Sequence, residues 1–195
     1  MNKGVLVVVS APSGCGKSTV LHRLMELREK LHFSVSATTR APREGEVDGV
    51  HYFFVERGKF EEMIRDGAFL EFAQYVGNYY GTPRAAVEEQ LSLGYDVYLD
   101  IEVQGAMQIK EKRPETLLIF LMPPSMEELE RRLTGRGTDA PETVRNRLKE
   151  AERECQERDK YDFVVVNDEV DRAAAEISGI IDGYKLRING SGSQI

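Results

Sequence analysis

Residues 5–9 form an unbroken apolar block rich in β-branched side chains, the pattern of a strand covered on both faces. A polar stretch with two glycines follows. Val20, Leu21, Leu24 and Leu27 then recur at helical spacing, predicting a helix that runs to about Lys30. Short strands are predicted at 33–36 and 51–55. A helix is predicted at 57–66, with Phe60, Met63 and Ile64 on one face, and Gly67 closes it. Residues 69–76 alternate as a strand, Gly77 and Asn78 turn the chain, and 79–82 return as a second strand. Beyond 82 the blocks read helix 84–93, strand 96–101, helix 103–112 and strand 116–122. Ser125-Met126-Glu127-Glu128 has the form of a capping box that opens the next helix, which stops near Gly135-Arg136-Gly137. Pro141 starts a long charged helix to about 158, residues 163–166 are the last strand and 171–186 the last helix.

Strands alternating with helices predict an α/β fold, a three-layer α/β/α core around a parallel sheet with right-handed crossovers. Residues 34–82 break the rhythm and read as a small, mostly β insertion. The expected division is a core of 1–33, 83–125 and 159–188, the insertion at 34–82, a helical lid at 126–158 and a flexible tail at 189–195. In such sheets ligands gather beyond the C-terminal strand ends, where Ser10, Asp100 and Asn167 fall.

The chain of 195 residues is long enough for one good core, and no apolar run approaches the ~20 residues of a membrane span. Residues 1–9 lack the regions of a signal peptide. Cys15 and Cys155 fit neither a zinc spacing nor a disulfide framework, which favours a reducing, cytoplasmic setting. A net charge of −7 argues against a general nucleic-acid binder, so the arginines matter by position.

The candidate chemistry starts at Ser10-Ala11-Pro12-Ser13-Gly14-Cys15-Gly16-Lys17-Ser18-Thr19, between the first strand and the first helix. This is the context of a phosphate-binding P-loop, with Ala11 in place of the usual first glycine. Gly14 and Gly16 let successive N–H groups converge on an anion at a helix N-terminus. Lys17 can reach the β- and γ-phosphates, and Ser18 offers a hydroxyl to Mg²⁺. Asp100, at the end of an apolar strand, suits a carboxylate that holds the metal; a helix cap or solvated strand end is the plainer alternative. Cys15 reads as a small filler within the loop. Arg131, Arg132, Arg136, Arg145 and Arg147 flank a glycine hinge, as in a lid closing over phosphates, or else pair with the many nearby glutamates on a solvated helical surface. His22, His32 and His51 show no triad or metal arrangement.

Over residues 4–187 the sequence resembles the guanylate kinases. The likeness is carried by the phosphate loop at 10–18, Ser-x-Thr-Thr-Arg-x-Pro-Arg at 36–43 and Gly-x-x-Tyr-x-Phe at 49–54. It continues in Glu-Phe-Ala at 71–73, Gly-Asn-Tyr-Tyr-Gly-Thr at 77–82, Asp-Ile-Glu-Val-Gln-Gly at 100–105, Gly-Arg-Gly-Thr at 135–138 and Val-Asn-Asp at 166–168. The resemblance implies transfer of the ATP γ-phosphoryl group to GMP with Mg²⁺, dGMP being a further possible acceptor. It implies that residues 11–19 bind ATP, with Asn167 beside the adenine, and that Ser18 and Asp100 hold the metal. Ser36, Arg40, Arg43, Tyr52 and Tyr80 are then expected on the GMP phosphate, Glu71 and Thr82 on guanine, and Glu102 nearby as a second carboxylate. Lys17, Arg132, Arg136 and Arg147 are expected to clamp the transferring group. Tyr79, facing opposite to Tyr80 on its strand, is expected to pack in the core. The competing reading is an inactive module of the same fold that binds phosphorylated peptides; such modules typically lose the phosphate loop or the lid arginines, which are present here.

Overall fold

The computed structural model describes residues 3–135 and 141–190. In chain order the elements are β1 (Leu6–Ser10), α1 (Lys17–Leu27), β2 (Leu31–Phe33), β3 (Ala37–Thr38), β4 (Phe53–Phe54), α2 (Arg57–Arg65), β5 (Phe69–Tyr75) and β6 (Asn78–Pro83). They continue as α3 (Arg84–Ser92), β7 (Asp96–Asp100), α4 (Val103–Lys112), β8 (Leu117–Met122), α5 (Met126–Gly135), α6 (Pro141–Gln156), a 3₁₀ turn at Glu157–Lys160, β9 (Phe163–Val166) and α7 (Val170–Gly190).

Five parallel strands form the main sheet in the order β2-β7-β1-β8-β9. β1 is central, and alternate residues serve opposite layers. Val5, Val7 and Val9 pack with Leu24 of α1 and Ile177 of α7; Leu6 and Val8 pack with Val87 of α3 and Ile109 of α4. That two-sided burial explains the unbroken apolar run. Val9 lies opposite Asp100 on one neighbour and Ile119 on the other, so Ser10 and Asp100 share one rim.

One ionic knot ties the layers together. The Asp96 carboxylate, 1% exposed, accepts hydrogen bonds from the Val5 N–H (2.9 Å), Arg28 Nη2 (3.0 Å) and Lys185 Nζ (2.7 Å). Arg28 ends α1 and also pairs with Asp182 of α7. Asp96→Ala removes the partner of Lys185 and of the buried Val5 amide and one of the two carboxylates on Arg28, and is expected to lower stability by about 3 kcal/mol in urea unfolding.

The second sheet, β4-β3-β6-β5, is the insertion. Helix α2 seals it with Phe60, whose ring stacks on Phe69 (4.4 Å) and Tyr79 (5.3 Å), so Tyr79 packs inward as expected. The β5–β6 hairpin turns through Val76 (φ 46°) and Gly77 (φ 78°).

Several boundaries differ from the sequence reading. The strand expected at 33–36 straddles a junction. β2 stops at Phe33, the Ser34 N–H makes a last bond to Tyr98 O, and the chain then leaves for the second sheet as β3. Only Phe53 and Phe54 of 51–55 are strand, because Gly49 and Tyr52 close a turn ahead of them. α1 ends at Leu27, which is exposed, rather than Lys30. Of the tail expected at 189–195, residues 189 and 190 belong to α7, and 191–195 lie outside the described residues.

Candidate active site

The loop between β1 and α1 turns twice through left-handed backbone, at Gly14 (φ 88°) and Gly16 (φ 89°), and both positions are also crowded. A Cβ at Gly14 would lie 2.5 Å from Leu133 Cδ2 of α5, and one at Gly16 would lie 2.8 Å from Asn167 Nδ2. Ala11 has negative φ, so its methyl group costs the loop no backbone strain. Gly16 caps α1, its carbonyl accepting from Thr19 N (3.1 Å) and Val20 N (3.2 Å), and Pro12 O closes a turn on Cys15 N. Cys15 is fully buried and its thiol lies 3.5 Å from Leu121 O. Burial pushes that thiol up to about 12, so it stays protonated and packs as a small side chain. Ser18 and Thr19 are exposed on the first turn of α1. Lys17 forms an ion pair with Asp100 across the rim.

Helices α5 and α6 lie against this loop, held together by Leu129, Leu133, Val144 and Ala151. Arg132 donates from Nη1 to Cys15 O (3.2 Å) and from Nη2 to Asn167 O (3.0 Å). Arg147 Nη2 donates to Ser13 Oγ (2.9 Å), and the Ser13 N–H donates to Glu154 Oε2 (3.2 Å). Arg131 pairs with Glu128 on the surface and Arg145 is exposed. Arg136 lies outside the described residues. The expected capping box is half formed. Ser125 Oγ accepts from Glu128 N, but the Glu128 carboxylate turns to Arg131 and Arg132, which hold it at about 2.

A cleft of about 380 Å³ opens between the two sheets. Lys17 and Asp100 line it from the core, Ser36, Tyr52, Glu71 and Tyr80 from the insertion, and Glu102 from the cap of α4. Glu71 is only 5% exposed. Its Oε1 accepts a short bond from Thr82 Oγ1 (2.6 Å), and its Oε2 lies over Gly105, where a Cβ would come within 2.9 Å. Burial raises the pKa of this carboxyl, Thr82 opposing the rise. Thr82 is fully buried, so it meets the cleft through Glu71. Arg40 stands one layer back. Glu46 grips it through both terminal nitrogens (2.9 and 2.8 Å), and its guanidinium lies 5.4 Å from the centre of the Tyr52 ring. Arg43 is exposed on the loop outside, its backbone N–H also bound to Glu46 (2.7 Å).

The sequence therefore placed Lys17, Ser36, Tyr52, Glu71, Tyr80, Asp100 and Glu102 around one opening, with Arg132 and Arg147 on the loop beside it. Three participants went unnoticed. Glu46 sits in an aperiodic loop with no signal beyond its charge. Gly105 was visible only as part of a motif. Glu154 read as one of many partners for surface arginines, yet it lies on a loop amide.

The family model described as guanylate kinase matches residues 3–184, nearly the whole described chain. The chain belongs to the guanylate kinase family. Among similar guanylate kinases, that of Oceanobacillus iheyensis is 54% identical over 95% of this chain and 90% of its own length. That of Lactococcus lactis subsp. lactis is 50% identical over 96% of this chain and 91% of its own. A crystal structure of guanylate kinase from Anaplasma phagocytophilum aligns with a TM-score of 0.76 at 37% identity, covering 95% of this chain and 88% of that one.

Proposed function

We propose that this guanylate-kinase-family protein carries the γ-phosphoryl group of ATP reversibly to GMP, giving ADP and GDP. The observation that carries this reading is the single cleft in which Lys17 of the phosphate loop and the buried carboxylate Glu71 face one opening. A phosphate-holding group and a base-reading group at opposite ends suit two nucleotides meeting end to end.

Each residue then has a task. The amides of Gly14, Gly16, Lys17 and Ser18 and the Lys17 ammonium hold the ATP phosphates. Ser36, Arg40, Arg43, Tyr52 and Tyr80 hold the phosphate of GMP with charge-assisted bonds. Glu71 accepts the paired N1–H and N2–H donors of guanine, with Thr82 fixing its rotamer and Glu102 as a second carboxylate. Arg132, Arg136 and Arg147 neutralise the group in flight. No general base is required, because the attacking phosphate oxygen is already anionic near neutral pH. The division of labour is a core, a GMP-binding insertion at 34–82 and a lid at 126–158 whose closure excludes water that would hydrolyse ATP.

Mg²⁺ fits the donor set. Ser18 and Asp100 offer hard oxygen ligands at the loop rim, and among the described residues no group of three or more His, Cys, Asp or Glu could cage a metal unaided. That matches an ion brought by nucleotide phosphates and completed by one or two protein oxygens. When bound, it neutralises charge on the β- and γ-phosphates. Lys17 must exchange its partner Asp100 for phosphate, which frees Asp100 for the ion.

Retention of Lys17, Ser18, Asp100, Arg132 and Arg147 favours the enzyme over a phosphopeptide-binding module. No described helix is long and apolar enough to cross a membrane; we place the enzyme in the cytoplasm, acting on free nucleotides and not on nucleic acid. A coupled assay of ADP formation with ATP and each nucleoside monophosphate in turn tests the proposal. Turnover with GMP far above AMP, CMP and UMP is the expected result, and absence of GMP turnover by folded protein overturns it.

A further inference from the structure

The resemblance puts Asn167 beside the adenine; in the structure its amide nitrogen is engaged with the loop. It lies one residue beyond β9, with its backbone N–H anchored to Met122 O at the end of β8 (2.8 Å). The residue is 3% exposed, and its Nδ2 donates to the carbonyl of Cys15 at 2.7 Å. Arg132 reaches the same carbonyl from Nη1 and the Asn167 carbonyl from Nη2. The carboxamide and the guanidinium thus hold one peptide group of the loop, that between Cys15 and Gly16.

A trans peptide is planar, so fixing the direction of its C=O fixes its N–H on the opposite side. The Cys15 carbonyl points out of the loop toward β9 and α5. The Gly16 N–H therefore points into the loop, where anion-binding amides converge. This peptide needs the restraint more than most. Gly16, with φ 89°, adopts either sign of φ with little penalty, so the peptide can rotate and present its carbonyl oxygen to the anion instead. The close approach of Asn167 Nδ2, which any Cβ at Gly16 would meet at 2.8 Å, leaves the loop little space to do so.

We propose that Asn167 is a positioning residue of the phosphate loop. Its carboxamide locks the Cys15 carbonyl outward and so aims the Gly16 N–H at the triphosphate, independently of the nucleotide base. The inference rests on the reading of residues 11–19 as the ATP phosphate site.

The test compares Asn167→Ala and the near-isosteric Asn167→Leu with wild type by isothermal titration of three probes: Mg·ATP, inorganic tripolyphosphate and GMP. Loss of the donor is expected to weaken Mg·ATP and tripolyphosphate by the same factor, about 10-fold, since Arg132 still holds the carbonyl. GMP affinity is expected to be unchanged, which also reports that the variant is folded. If ATP weakens while tripolyphosphate does not, Asn167 acts through the base and the inference is overturned. Unchanged affinity for both phosphate probes overturns it as well, as does an equal loss for all three ligands, the mark of a general structural role. Wild-type protein that binds GMP but neither phosphate probe sinks the phosphate-site reading itself, a failure distinct from that of the lock.

Discussion

Lys17→Ala is expected to lower the rate of GMP phosphorylation by about 10³- to 10⁴-fold, the scale of losing a cation placed on a transferring phosphoryl group. The ammonium sits where the loop, the Asp100 rim and the cleft meet, and no other described lysine or arginine lines that cleft. Loss of the fold is not expected to confuse the result. Asp100, the partner left behind, is exposed and keeps its hydration, while the hydrophobic layers contain neither residue. Circular dichroism and thermal unfolding check the fold, and the coupled assay gives the rate. A folded variant with wild-type turnover would show that the phosphoryl group passes elsewhere.

Glu71→Gln is expected to reduce the preference for GMP over AMP by about 10²- to 10³-fold, because a buried site built to accept two hydrogen bonds is left with a mismatch. Thr82 makes the substitution informative. Its hydroxyl donates to Oε1 at 2.6 Å, which draws the amide oxygen of glutamine toward Thr82 and turns the NH₂ group toward the cleft. Guanine donors then meet a donor. Competitive kinetics with both monophosphates give the ratio, and an unchanged ratio removes Glu71 from the base site. Acid gives an independent check. Burial raises the pKa of this carboxyl, so on lowering pH the carboxylate is neutralised earlier than an exposed glutamate would be. GMP affinity should therefore fall on the acid side beyond the fall that AMP, with the same phosphate, also shows. The glutamine variant should lose that difference.

The sheet was legible because its strands obey local rules. Residues 5–9 and 117–121 are apolar throughout, and the glycines of the phosphate loop mark a turn that only such residues make. The insertion was legible in outline only. Its strands β3 and β4 are two residues long, too short for any period to emerge, and a long-range pairing of Ala37 with Gly81 and Phe53 decides where they lie. In the site, the charged residues that line the cleft were found, with Ser36, Tyr52 and Tyr80, whereas Glu46 and the bond made by the Asn167 carboxamide were not. Glu46 is defined by its grip on Arg40, and the Asn167 carboxamide by a carbonyl 152 positions away. Neither relation leaves a trace in spacing along the chain.

Gly105 carries an evolutionary consequence. In this geometry a carboxylate at 71 and any side chain at 105 claim the same volume. Alanine would add intrinsic helix propensity to α4, about 1 kcal/mol, yet it would push against the Glu71 carboxylate, the group proposed to read the base. If Glu71 reads the base as proposed, helix stability and substrate choice pull that codon in opposite directions, and drift toward a sturdier helix must first cross a loss of discrimination.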